Sequence, residues 1–154
     1  MKKLGEEAVL FFRNQRFAIV STVDADGTPH ASCKGIVKVD EKGWVYLLDL
    51  YSGKTFENLL RNPNISLTSV DEHSFLGYCL KGRAKIVPIR KLKHDILSLW
   101  EEKINSRISH RIIRNVRGEK GHSRHPEASL PGPEYVIVVR VKEAVDLTPR
   151  HLKE

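Results

Sequence analysis

No apolar run in this sequence approaches the length needed to cross a bilayer, no repeat recurs, and no low-complexity linker divides the chain. Only two cysteines are present, Cys33 and Cys79, and they form no CxxC pair. A dithiol redox motif and a zinc knuckle are therefore excluded, and so few thiols fit a reducing compartment. The opening "MKKLGEEAVLFF" begins as a secretory leader would, but Glu6 and Glu7 interrupt the apolar stretch too early. A cytoplasmic protein with no membrane partner is expected. What remains is an ordinary globular composition, 40% hydrophobic and 29% charged over 154 residues, which predicts a single domain spanning 1–154 with a real core. The formal net charge of +7 favours acidic partners such as nucleic acid, phosphate-bearing cofactors or anionic surfaces, or it reflects a solvated lysine-rich surface.

Residues 3–13 predict a short amphipathic helix with Leu4, Ala8 and Phe11 or Phe12 on one side. Three strands follow, over about 16–24, 28–40 and 43–50. Asp26-Gly27 joins the first two, because glycine accepts the positive φ of a tight hairpin turn, and "DEKG" at 40–43 joins the next two. Residues 54–61 predict a helix capped by Ser52 and ended by Asn62-Pro63. "NISLTSV" and "FLGYCLKGRAKIV" read as strands four and five, the latter with Gly77 and Gly82 marking a bend, bulge or close approach. A helix over 91–104 would bury Leu92, Ile96, Leu99 and Trp100, and an isoleucine stripe extends it through Ile108 and Ile112. Residues 118–133 read as a loop, and "EYVIVVRVKEAVDL" as the last strand. Six strands, antiparallel by connection length and carrying bend glycines, predict a closed or partly closed barrel.

"SGKTFENL" at 52–59 raises the question of phosphate. A Walker A loop needs a glycine five positions before its second one. Here the second is Gly53 and the earlier position is Leu48, so the loop cannot wrap a triphosphate. An anion site at a helix start survives this test. Free amide donors and the positive end of the helix dipole would meet the anion there. Lys54 would add a point charge and Thr55 a hydroxyl.

The ordered combination of "STVDADGTPHASCKG", "WVYLLDLYSGKTFENLLRNPNISL" and the closing strand resembles the pyridoxamine 5′-phosphate oxidase-like family of FMN-binding split barrels. The resemblance covers about residues 14–90 and 134–146. It implies a mainly β fold, a six-stranded antiparallel Greek-key split barrel, in a homodimer with FMN at the subunit interface. It implies that Lys54, Thr55 and Ser52 hold the FMN phosphate, that Ser32, Cys33 and Lys34 lie beside the flavin and its phosphate, and that Asp49 and Leu50 run along the ring. Gly35 would let a ring approach the backbone or serve as a bulge. Two departures separate the chain from the vitamin B6 oxidases themselves. Its end, "VVRVKEAVDLTPRHLKE", lacks their Trp-, Arg- and His-rich stretch, and Ser32 stands where they place an arginine.

The resemblance leaves the substrate and the electron partner unassigned, and a deazaflavin is the alternative to FMN. No residue has the pattern of a general acid or base, so simple redox transfer is expected if the protein turns over, and a non-enzymatic electron carrier is the alternative. Cys33 reads as a strand filler, with no base beside it except His30 on the same strand. His122 and His125 lack the third partner that a metal site needs, so no metal is expected. Arg107, Arg111 and Arg114, with Lys103, Arg117, Lys120 and Arg124, form the most basic stretch. It would serve nucleic acid, a phosphate tail of a second substrate, or a solvated helix face. No stacking aromatics interleave it, which argues against a single-strand binder.

Overall fold

Two turn glycines set the first three strands. Gly27 has φ +88° and Gly43 has φ +82°, the left-handed region that a side chain resists. Gly27 N bonds Asp24 O at 3.0 Å, and Gly43 N bonds Asp40 O at 3.0 Å. The computed structural model describes residues 4–49, 52–103 and 133–153. In chain order it contains α1 (Glu6–Asn14), β1 (Phe17–Val23), β2 (Pro29–Val39), β3 (Trp44–Leu48), α2 (Lys54–Arg61), β4 (Asn64–Asp71), β5 (Leu76–Pro88) and β6 (Tyr135–Asp146). Short 3-10 turns cover Ile89–Lys91 and Arg150–Leu152.

All neighbouring strands are antiparallel, and the sheet closes in the order β1-β2-β3-β6-β5-β4. The run β3-β6-β5-β4 is a Greek key, since β4, β5 and β6 follow one another while β3 returns beside β6. The predicted six-stranded antiparallel barrel is the fold found. Its interior is aliphatic, with Val20, Val45, Leu47, Leu67, Leu80, Ile137 and Val139 fully buried. Phe12 of α1 is also fully buried and meets Phe11 edge-on at 5.6 Å. Each such side chain contributes about 1.5–3 kcal/mol by leaving water.

Gly82 marks a close approach, as its place inside a strand suggests. A Cβ there would sit 2.2 Å from the Arg140 carbonyl oxygen, and the β5–β6 register shifts between Lys81 and Gly82. Gly35 is not the bulge residue of β2; that irregularity falls between Ile36 and Lys38.

Two local expectations need correction. The N-cap of α2 is Gly53, not Ser52, and no side chain caps the helix. The segment after β5 does not enter a helix at residue 91. The Ile89–Lys91 turn is closed by Leu92 N to Ile89 O at 3.0 Å, and the helix starts at residue 94 and holds through 103, the last described residue of this stretch. Pro88, with φ −57° and ψ 141°, leads into that turn. Within the helix Ile96 is buried, and Leu99 and Trp100 are half-buried. Ile104, Ile108 and Ile112 lie outside the described residues.

Candidate functional site

The alternation of β1 and β2 decides which side chains can meet. Val20 opposes Ser32 and Ala18 opposes Lys34, and both apolar partners are buried. Opposed residues in an antiparallel pair share a face, so Ser32 and Lys34 point inward at the barrel mouth. Cys33 opposes Ile19, which is 48% exposed, and points outward. The three consecutive site residues of β2 therefore divide between two faces.

On the inner side, Ser32 Oγ and Thr55 Oγ1 are 2.8 Å apart. Thr55 is buried at 2% exposure, so Ser32 is the more accessible hydroxyl of the pair. Thr55 lies in the first turn of α2, whose first intrahelical bond is Glu57 N to Gly53 O at 3.1 Å. The N–H groups of Lys54, Thr55 and Phe56 come before that bond and have no cap side chain. Lys54 stands at the surface, with its ammonium 3.3 Å from Glu57. The β1–β2 hairpin tip is close enough for Lys54 to act on Asp26, whose pKa is lowered chiefly by the Thr28 hydroxyl and amide. Ser52 is exposed, and its hydroxyl interacts with Tyr135.

Lys34 and Asp49 meet in an ion pair, Nζ to Oδ1 at 2.6 Å. Tyr135 donates its phenol proton to the other oxygen of Asp49 at 2.7 Å. Burial first, and then the hydrogen bond to Asp49 and its charge, raise the Tyr135 pKa far above the usual tyrosine value. The Tyr135 ring packs against Phe56 at 4.9 Å, which links β6 to α2. Behind this corner Asn58, fully buried, donates to Thr22 Oγ1 at 3.0 Å and to Asp24 Oδ1 at 2.7 Å. Arg61 donates to the Val23 carbonyl at 2.5 Å and to Asn58 Oδ1 at 3.1 Å. These bonds fix α2 against β1 and so fix the direction of its first turn.

The structure thus brings Ser32 to Thr55 and Lys34 to Asp49, with Lys54 and Ser52 at the rim, and leaves Cys33 on the opposite face. Leu50 lies outside the described residues, as do His122, His125 and the basic stretch beyond Lys103. Lys103 itself donates to the Ile36 carbonyl at 2.7 Å. Among the described residues no three His, Cys, Asp or Glu side chains could hold a metal ion, and no helix is long and apolar enough to cross a membrane.

The family model for pyridoxamine 5′-phosphate oxidase matches residues 4–146. The chain belongs to this family. As a member of the pyridoxamine 5′-phosphate oxidase family it is 34% identical over 85 residues to an uncharacterised protein of Methanocaldococcus jannaschii. That match takes in 54% of this chain and 56% of the relative, so it spans only about half the length of each. Among solved structures, a protein related to general stress protein 26 from Clostridium acetobutylicum gives a TM-score of 0.64 at 21% identity, covering 96% of this chain and 88% of that one. A pyridoxamine 5′-phosphate oxidase candidate from Lactobacillus delbrueckii gives 0.61 at 21% identity, with 93% of each chain covered. An FAD-binding protein from Mesorhizobium loti gives 0.54 at 15% identity, with 94% and 95% covered. At these identities the likeness is one of fold.

Tyr135, Phe56 and Asn58 complete the corner of this family member, and sequence reasoning did not name them. One signal was present for Tyr135: a phenol at the start of an otherwise aliphatic strand needs a partner when buried. Asn58 gave no comparable signal, because an amide in a helix reads as a surface residue.

Proposed function

We propose that this chain is a flavin-binding protein with FMN as its cofactor, that it acts as an oxidoreductase, and that it works as a homodimer. The observation that carries the reading is the Ser32–Thr55 hydroxyl pair against an uncapped helix start beside Lys54. This donor set suits a phosphate monoester. The three early N–H groups of α2 offer donors along a dipole, Ser32 offers a hydroxyl, and Lys54 offers a mobile charge. Charge-assisted bonds of this kind are each worth about 1.5–3 kcal/mol. The bound flavin would supply the redox chemistry, and the protein would orient it. A deazaflavin with a phosphate-bearing tail would use the same donors.

The outer face of β1, β2 and β4 supports the dimer. Phe17, Ile19 and Val23 of β1, Ala31 and Cys33 of β2, and Val70 of β4 are all exposed there. A groove of about 590 Å³ runs over Phe17, Ile19, Thr68 and Val70. Exposed apolar side chains gathered on one barrel wall, interleaved with Ser21, Ser66 and Thr68, suit burial against a second copy. The two unpaired thiols, Cys33 and Cys79, fit a cytoplasmic setting.

The test is the absorbance spectrum of the purified protein, before and after incubation with FMN. A flavin spectrum retained through gel filtration is expected. Protein that stays colourless after incubation would overturn the reading. Turnover with NAD(P)H, pyridoxamine phosphate or artificial acceptors separates an oxidoreductase from an electron carrier built on the same site.

A further inference from the structure

Two lysines stand near the proposed phosphate corner, and their surroundings differ. Lys54 pairs with Glu57 at 3.3 Å, but both side chains are more than half exposed. Such a pair is screened by water and yields readily to an incoming anion. Lys34 pairs with Asp49 at 2.6 Å, and their side chains are 14% and 1% exposed. Asp49 is held from two further sides: it sits just beyond the end of β3, and Tyr135 of β6 donates to its second oxygen at 2.7 Å. Breaking this arrangement would leave a buried carboxylate without its cation, a strongly unfavourable state.

Lys34 follows Ser32 by two residues on one face of β2, which places them about 7 Å apart along the strand. The ion pair therefore stands within about one Debye length of the Ser32–Thr55 hydroxyls at physiological salt. The charges around the described corner include Lys34 from β2, Asp49 after β3, Lys54 and Glu57 from α2, and Asp26 from the hairpin tip, with Asp24 and Arg61 in the network behind it and Glu134 beside Tyr135.

We propose that Asp49 is a specificity-determining residue: by holding Lys34 in a buried ion pair, it withholds the Lys34 charge from a phosphorylated ligand at the start of α2, where Lys54 stands. This rests on the reading that the corner receives a phosphate. It assigns Lys34 and Asp49 a joint role as a neutral unit. It also sets how strongly the protein prefers a flavin phosphate to the unphosphorylated flavin.

The experiment is a fluorescence titration of the full chain with FMN and with riboflavin, read as the ratio of the two affinities. The double substitution Lys34→Met with Asp49→Asn replaces the pair by a neutral one of similar size, and the ratio is expected to stay within about twofold of the parent. Asp49→Asn alone frees Lys34, and the ratio is expected to rise about fivefold. A merely structural role would weaken both ligands together and leave the ratio unmoved. A tenfold fall in the double variant would show that Lys34 touches the phosphate and would overturn the proposal. No rise in a folded Asp49→Asn protein would overturn it equally; if that variant does not fold, Asp49→Ser, which also removes the carboxylate from Lys34, is read in its place by the same criterion. Lys54→Ala reports separately on the underlying reading. An unchanged ratio there means that the phosphate is held elsewhere, whatever the other variants show.

Discussion

Tyr135 reaches across from β6 to donate its phenol proton to Asp49, which lies 86 positions earlier in the chain. The phenol ionises far less readily in the folded protein than in the unfolded chain. Its folded pKa is raised, so the stabilisation is complete below pH of about 10 and is lost as the pH rises through and beyond that value. Above it the unfolded chain releases a proton that the folded protein keeps, so stability falls with pH. Thermal unfolding from pH 8 to 11 is expected to show this decline, and Tyr135→Phe to reduce its slope by about one proton. An identical slope in the variant would mean that Tyr46 or Tyr78, whose pKa values burial also raises, governs the effect.

Removing the Lys54 ammonium should cost one charge-assisted contact and little else. The side chain is more than half exposed, so folding should not change. Lys54→Ala is expected to weaken FMN at least about tenfold, measured by flavin fluorescence, with an unaltered thermal midpoint.

Gly82 tests the barrel itself. A methyl group there would collide with the Arg140 carbonyl, a backbone atom with little room to yield. Gly82→Ala is expected to destabilise the protein by about 1–3 kcal/mol, read from the urea midpoint. Gly27 would be strained by its φ of +88° alone, since nothing lies within 4 Å of a Cβ at that turn.

Ile19 lies at the centre of the exposed apolar face, between Cys33 of β2 and Thr68 of β4. Ile19 points away from the interior and is no part of the buried core, so Ile19→Lys leaves that core in place. It is expected to convert the protein to a monomer by light scattering and to lower FMN retention in parallel. A monomeric variant that keeps its flavin would show that the cofactor site lies within one chain.

Much of the fold was legible because it is written in local chemistry. Asp26-Gly27 and Gly43 announce their turns, and α2 occupies 54–61 as its flanking residues suggest. The first helix buries Ala8 and both Phe11 and Phe12, where the spacing asked for one of the two, and Leu4, read as part of that helix, is buried just before its start. The corner was legible only in part. Ser32, Lys34, Asp49, Lys54 and Thr55 all belong to a recognisable pattern, but nothing in their spacing records that Lys34 and Asp49 pair or that Tyr135 of β6 joins them. The cap of α2 was misread because Ser52 has the better intrinsic preference. The chain instead places Gly53 at that position and turns the Ser52 hydroxyl toward Tyr135.

The barrel is not sewn evenly. β5 and β6 run together from Tyr78 to Pro88, whereas β1 and β4 join only through Ile19–Ser21 and Ser66–Thr68. That short seam is where the cylinder should unzip first, well before the long β5–β6 ladder gives way. It also passes beneath Ile19, at the middle of the apolar wall. A second copy seated on that wall would act as a clasp over the weakest stitch, tying resistance to unfolding to protein concentration.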